Sequence, residues 1–282
     1  MDGDGNGWVE CSLGHRHWGL HGAAGLLVYA VDDAGEPRIL MQHRASWTNE
    51  GDTWGVPGGA RDSHEDAAAA ALREAGEEAG IAGADVAVRE VSIDDHGGWA
   101  YETVLADTPA PLPTVANRES ESLEWVPLSA VEERRLHSGF AGTWHRHRAV
   151  PVTLVVDGAN VVGSRPDGWW RDRAGAAGRL RTSLESLRGR LIRDPSGSLR
   201  VSTCVVLVVE GQARSMPAGD GWVAVVATEG VGDDALVLET RRLMGEGASP
   251  LLVTADRGLR ARADAQAVGP TWLLDLITPP TP

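Results

Sequence analysis

The chain has 282 residues, 42% hydrophobic and 23% charged, with 26 basic against 40 acidic side chains and a net charge of −14. That profile belongs to a globular protein long enough for two domains of ordinary size. No apolar run reaches the roughly 20 residues of a membrane span. The acidic start Met-Asp-Gly-Asp-Gly-Asn-Gly lacks the basic and apolar segments of a signal peptide, so the expectation is a cytoplasmic protein with no membrane partner. Cys11 and Cys204 are too few and too far apart for a disulfide framework. All 26 basic residues are arginine, the codon-bias signature of a GC-rich genome.

Charge divides the chain. Residues 1–150 carry 25 acids and 11 arginines, a net of −14, whereas residues 151–282 carry 15 of each. A boundary near Val150 follows, with domains at 1–149, including an N-terminal extension over 1–21, and at 150–282. In that extension Cys11, His15, His17 and His21 have spacings that could hold zinc, although structural sites more often pair closely spaced cysteines. A loop of solvent-facing histidines is the alternative. Gly25 to Val31 and Arg38 to Arg44 then read as a hairpin turned by Asp-Asp-Ala-Gly-Glu-Pro.

Trp54-Gly55-Val56-Pro57-Gly58-Gly59 leads into an alanine-rich run that predicts a helix over 65–79. Ser63 is its expected N-cap, acids follow in the first turn, and Gly80 is the expected left-handed stop. Glu74, Glu77 and Glu78 lie three and four residues apart, so they share one face and repel. A divalent cation such as Mg²⁺, or Mn²⁺, would relieve that repulsion, and Mg²⁺ takes carboxylates together with substrate phosphates. The glycines Gly58 and Gly59 let backbone amides approach a diphosphate.

Gly59, Glu65, Arg73, Glu74, Glu77, Glu78, Gly80 and Ile81 fall on the pattern G-x5-E-x7-R-E-U-x-E-E-x-G-U, where U is a bulky aliphatic residue. This stretch resembles the Nudix box, the metal-binding helix of hydrolases that cleave nucleoside diphosphates linked to another group. Ala75 departs from the pattern, at a position that packs beneath the helix. The resemblance implies an α/β/α sandwich with a mixed sheet and metal-assisted hydrolysis of a pyrophosphate bond. Glu74, Glu77 and Glu78 would hold the metal, Arg73 would orient a neighbouring carboxylate, and Glu65 would support the metal shell or Arg73. Val86 to Ile93 and Trp99 to Leu105 are predicted strands. In Asn117 to Trp125, Glu119 is the first choice for one more ligand or the general base, Glu121 the second, and Glu124 is expected to face water. Trp47, Trp54, Trp99 and Tyr101 are candidates for stacking on a base, with core packing the alternative. The signatures of the ADP-ribose and coenzyme A branches are missing.

The second half reads as strands alternating with helices, hence a parallel α/β sheet. Strands are expected at 153–157, 201–209, 222–228 and 251–254, with helices at 173–191 and from Gly232 to about Leu243. Asp157, Glu210, Asp233, Asp234 and Asp256 lie just past strands or at a helix start, where a parallel sheet gathers ligands. The pattern Asp-Gly-Ala-Asn, Gly-Asp-Asp-Ala-Leu-Val and Thr-Ala-Asp-Arg-Gly-Leu resembles the PIN-like (NYN) ribonuclease superfamily, which has a Rossmannoid fold. That resemblance implies a second metal site at Asp157 and Asp256, with Asp233 or Asp234, Glu210, a shaping role for Asn160 and a weaker candidate in Asp172. Any one of these acids could instead be an ordinary cap or turn. Nine arginines against four acids between Arg165 and Arg200 suit a nucleic-acid backbone or an exposed amphipathic helix equally.

Three functions remain open: a Nudix pyrophosphohydrolase joined to a metal-dependent RNase, a nucleotide-sanitising Nudix enzyme with a non-catalytic second domain, and a ligand-sensing regulator. The partners implied are a nucleoside diphosphate-type small molecule and, for the second half, RNA; a homodimer stays open.

Overall fold

In the computed structural model, which describes residues 3–166, 168–217 and 221–278, the chain divides into two units, Met1–Ala149 and Val150–Pro282. The first two residues of the acidic start thus lie outside the described residues.

The first unit begins with a small antiparallel ribbon, β1 (Trp8–Glu10) against β2 (Arg16–Trp18). Its main sheet is built from β3 (Ala23–Val31), β4 (Pro37–Arg44), β5 (Trp54–Gly55), β6 (Gly58–Ala60), β7 (Ala87–Asp95), β8 (Ala100–Asp107) and β9 (Ser120–Pro127), with helix α1 (Ala67–Ala79) between β6 and β7 and α2 (Ser138–His147) at the end. The sheet is mixed: β3 pairs parallel with β8, and its other pairings, to β4 and β6, are antiparallel. All nine residues of β3 are buried, as expected of a central strand with both faces covered. Ala24, Leu26 and Val28 point to one face and pack with Ala67, Ala70, Ala71, Ala75 and Ala79 of α1. On the other face Tyr29 donates its hydroxyl hydrogen to the His147 carbonyl at the end of α2. The period-two alternation of a strand thereby commits the first face to the box helix and the second to α2. Ala75, the departure from the aliphatic pattern, is fully buried against this sheet.

The box helix starts two residues later than the sequence predicts. Asp66, not Ser63, is its N-cap and accepts the Ala69 amide at 2.8 Å, so no acid sits in the first turn. Ser63 is occupied elsewhere, donating its amide and hydroxyl to Asp4 at 2.8 and 2.6 Å. Gly80 ends the helix at φ +71°, a conformation that favours glycine.

The second unit contains β10 (Val150–Asp157), α3 (Gly158–Gly163), α4 (Arg173–Leu184), β11 (Leu191–Arg193), β12 (Leu199–Val209), β13 (Val223–Ala227), α5 (Gly232–Gly245), β14 (Pro250–Val253), α6 (Arg257–Ala263), β15 (Ala267–Val268) and α7 (Pro270–Ile277). Strands run parallel in the order β13-β12-β10-β14-β15, and β11 adds antiparallel to the start of β12. Val152, Leu154 and Val156 pack on the layer holding Leu180, Leu184, Leu273 and Ile277, while Val155 packs on that of Leu236, Leu243 and Leu259. The helix predicted over 173–191 is shorter. It ends at Leu184, where Glu185–Leu187 tighten into a 3-10 turn; Glu185 accepts the Trp222 and Val223 amides, and Leu191 joins the sheet.

Candidate active site

Strand β6 carries Gly58 and Gly59 alongside α1, and the two glycines touch the two inward carboxylates. Glu78 is only 4% exposed, and its Oε2 accepts the Gly58 amide at 2.9 Å. A Cβ on Gly59 would lie 2.6 Å from Glu74 Oε1, so any side chain there would displace this carboxylate. Burial pushes the Glu78 carboxyl up to about 7; Glu74 and Glu119 add like charge, against the pull of the Gly58 amide and Gln42. Burial also raises Glu74, partly opposed by Arg73, while Glu77 and Glu119 push in the same direction as burial. Glu77 is exposed on the next turn position.

Arg73 is spanned by carboxylates. Its Nε and Nη2 donate to the two oxygens of Glu65 at 2.8 Å each, Nη1 donates to Glu74 Oε1 at 2.7 Å, and Nη2 also reaches the Ala60 carbonyl at 3.0 Å. This fork, a strong charge-assisted geometry, holds the Glu65 carboxyl below its ordinary value. Glu65 lies in the turn before α1 rather than on it.

Glu119 sits in the turn entering β9, its amide held by Asn117 Oδ1 at 2.8 Å, and its charge reaches both Glu74 and Glu78. Glu121 is exposed on β9. Glu124 lies on β9 with its side chain 43% exposed, as expected, and pairs there with Arg134 at 2.7 Å.

Gly58 and Gly59 also line a cavity of about 600 Å³ whose wall includes Trp8, Trp18, Trp99, Tyr101 and Phe140. Of the aromatic residues read as stacking candidates, Trp99 and Tyr101 line it. Trp47 is 64% exposed outside it, and Trp54 is buried in a stack with His43. Arg44 and Arg146, which the sequence reading passed over, supply positive charge to the lining. No local motif marks them, because β4 and α2 bring them to the cavity only after folding.

The four residues read as a zinc set do not meet. Cys11, His15 and His17 come together with His96, whereas His21 lies 4.0 Å from Asp4. His96 was missed because it belongs to the turn between β7 and β8, far along the chain. The turn's Gly97-Gly98 was its one local signal.

In the second unit, a cavity of about 290 Å³ opens at the carboxyl ends of β10, β12 and β14, lined by Asp157, Asn160, Glu210, Asp233 and Asp256. The strand order reverses between β10 and β14, the position at which open α/β sheets collect ligands. Asp157 Oδ2 accepts the Thr254 hydroxyl at 2.8 Å, and its Oδ1 accepts the Asn160 amide at 3.0 Å. Burial raises its carboxyl, and Asp233 and Glu210 add to the shift. Several of these acids also cap helices: Asp157 caps α3, Asp256 caps α6, and Glu210 accepts the Gly232 amide at 2.7 Å. Asp234 stands apart, ion-paired with Arg262 and 62% exposed at its side chain. Asp172 caps α4 and lines no part of this cavity. The arginine-rich segment does not border it either, since no arginine is among the lining residues. Within that segment Arg200 pairs with Asp194, and Arg190 and Arg193 donate to the Leu276 and Gly197 carbonyls.

A NUDIX domain model matches residues 19–147, the span that contains the box helix and its sheet. A Mycobacterium tuberculosis protein named "Putative 8-oxo-dGTP diphosphatase 3" is 48% identical over 158 residues, covering 54% of this chain and 73% of that protein. A Bifidobacterium longum "Nucleoside triphosphate pyrophosphatase/Nudix hydrolase fusion protein" is 41% identical over 150 residues, 51% of this chain and 31% of its own length. The crystal structure of RenU, a Nudix hydrolase from M. smegmatis, is similar at 47% identity and a TM-score of 0.50, covering 51% of this chain and 93% of that one. With Glu74 and Glu78 set against Gly59 and Gly58 and a relative matched over most of its length, the chain belongs to the Nudix family.

Proposed function

We propose that the first unit hydrolyses a pyrophosphate bond in a nucleoside diphosphate derivative, and that nucleoside triphosphates bearing an oxidised purine are its first substrate class. The observation that carries this reading is the junction at Gly58-Gly59, where buried Glu78 and Arg73-bound Glu74 contact the two glycines that line an aromatic-walled cavity. The name of the M. tuberculosis relative supports the substrate class.

The donor set fits a hard divalent cation, Mg²⁺ or Mn²⁺. It is all carboxylate oxygen, and no basic side chain pairs with Glu78 among the described residues. Glu74, Glu77 and Glu78, with Glu119 as a further ligand or base, would hold the metal, which when bound polarises phosphoryl oxygens and acidifies water. Arg73 fixes Glu74 from behind and takes its own orientation from Glu65. Gly58 and Gly59 line the cavity, and the Gly58 amide is committed to Glu78 rather than offered to a phosphate. The Trp8–Trp18 pair, whose rings meet edge to face at 5.5 Å, offers surfaces for the base. The test is a panel of 8-oxo-dGTP, dGTP, ADP-ribose and dinucleoside polyphosphates with Mg²⁺. Release of pyrophosphate and a nucleoside monophosphate from the oxidised triphosphate, abolished in Glu78→Gln, supports the reading. Equal inertness toward every panel member refutes it.

A second activity rests on a separate observation, the carboxylate-lined cavity at the β10/β14 switch. We infer a metal-dependent ribonuclease-type site there, of PIN-like kind, using Asp157, Asp233, Glu210 and Asp256 with Asn160 as a positioning group. Loss of RNA cleavage in Asp256→Asn, with pyrophosphate release unchanged, supports it. RNA left intact by the wild-type chain with Mg²⁺ or Mn²⁺ removes it.

A further inference from the structure

The N-terminal ribbon ends in a chemistry unlike that of either carboxylate cluster. Cys11, on the turn between β1 and β2, is buried, and β2 and its approach supply His15 and His17. The turn between β7 and β8 supplies His96. One ligand-type atom from each of the four lies within 4.8 Å of the others. The imidazole rings of His17 and His96 stand 4.7 Å apart, and His17 stacks flat on Trp99 at 3.9 Å. His17 Nε2 and His96 Nδ1 are both buried, and neither has a hydrogen-bond partner among the described residues. Two buried imidazole nitrogens without partners are costly unless something binds them.

We propose that Cys11, His15, His17 and His96 form a closed structural zinc site that pins the β1–β2 ribbon to the β7–β8 turn and so sets one wall of the substrate cavity. One thiolate and three imidazoles are the borderline-soft donors zinc prefers, whereas Mg²⁺ takes oxygen. A tetrahedral zinc with bonds of about 2.0–2.3 Å places its ligands about 3.3–3.8 Å apart, so small side-chain rotations close the set. The supporting shell is already built. His96 Nε2 lies 3.1 Å from Asp94 Oδ2, and Asp94 Oδ1 accepts Arg146 Nη1 at 3.1 Å. A carboxylate on the far ring nitrogen of a ligating histidine fixes its tautomer and raises its basicity. Here it turns Nδ1 toward the cluster. The backbone has the same clasp: the Ser12 amide donates to the Gly97 carbonyl at 2.8 Å, joining segments 85 residues apart. His15, His17, Asp94 and His96 also line the 600 Å³ cavity beside Trp8, Trp18 and Trp99.

The test uses the full chain, stripped with a chelator and returned to buffer with excess Mg²⁺, so that carboxylate sites are filled, then given Zn²⁺ alone and gel-filtered. Wild type and His21→Ala should each retain about one zinc per chain. Cys11→Ser with His96→Ala should retain less than about a tenth of that, and Asp94→Asn should bind roughly 10- to 100-fold more weakly. Cobalt in place of zinc should give intense tetrahedral bands with a thiolate charge-transfer band in wild type, the latter lost in Cys11→Ser alone. Circular dichroism identifies any variant that fails to fold, and the Cys11→Ser spectrum and Asp94→Asn affinity then decide. Zinc retained by wild type no better than by the double variant overturns the site, as does a cobalt spectrum without the thiolate band.

Discussion

Replacing Glu78 by glutamine separates stability from catalysis. The carboxyl of Glu78 is buried at 4% exposure and pushed from 4.5 up to about 7, so the folded protein holds a proton there that the unfolded chain releases above 4.5. Metal-free stability therefore falls as pH rises from 4.5 to 7 and stays reduced above 7. A shift of 2.5 units corresponds to about 3 kcal/mol at 1.36 kcal/mol per unit. Glutamine keeps an oxygen to accept the Gly58 amide and has no charge to bury. At pH 8 in a chelator, Glu78→Gln should be more stable than wild type by up to about 3 kcal/mol. The advantage should vanish near pH 4, and Mg²⁺ should stabilise wild type but not the variant. The same substitution should reduce pyrophosphate release by at least about a hundredfold. Urea denaturation with hydrogen exchange read on peptides covering 67–79 measures the first effect at both pH values. A variant less stable than wild type at pH 8 without metal, or a difference independent of pH, refutes the reasoning.

Two further changes probe the two units. Gly59→Ala forces a methyl to 2.6 Å from Glu74 Oε1, so the carboxylate must swing away from Arg73; kcat should fall at least about tenfold, near 1.4 kcal/mol, in a folded protein, as steady-state kinetics and circular dichroism would show. At Asp194, burial opposes ionisation, but bonds from Ser196, Arg200 and Ser198 outweigh it and hold the carboxyl down to about 2. Its contribution is present above about pH 4 and lost as pH falls through 2. Asp194→Ala should therefore destabilise the second unit by about 2 kcal/mol at pH 7, read by denaturation at pH 7 and 2.5.

What could be read before folding was local. Glu74, Glu77, Glu78, Arg73 and Gly80 lie within one helical turn or two of each other, so spacing alone puts the carboxylates on one helix surface and the stop after Ala79. The buried strands of the second unit were equally legible, because a parallel sheet covered on both faces is apolar throughout. The start of the box helix was not: Asp66 and Ser63 are both competent caps, and only the distant Asp4, by engaging Ser63, settles which one serves. The same holds for acids past strand ends. Asp233 and Asp234 both pair with Arg262, yet only Asp233 lines the second cavity, a difference made by side-chain direction on α5. His96 is the clearest case, since residues from the first ribbon meet it only through the pairing of β7 with β8 and of β3 with β8. The amino-acid sequence by itself determined the box helix and the spacing of its carboxylates, because helix periodicity is a short-range property. Tertiary structure alone decided which histidine joins Cys11, His15 and His17, and which arginines face the cavity, because strand pairing and helix docking bring together residues that no spacing relates.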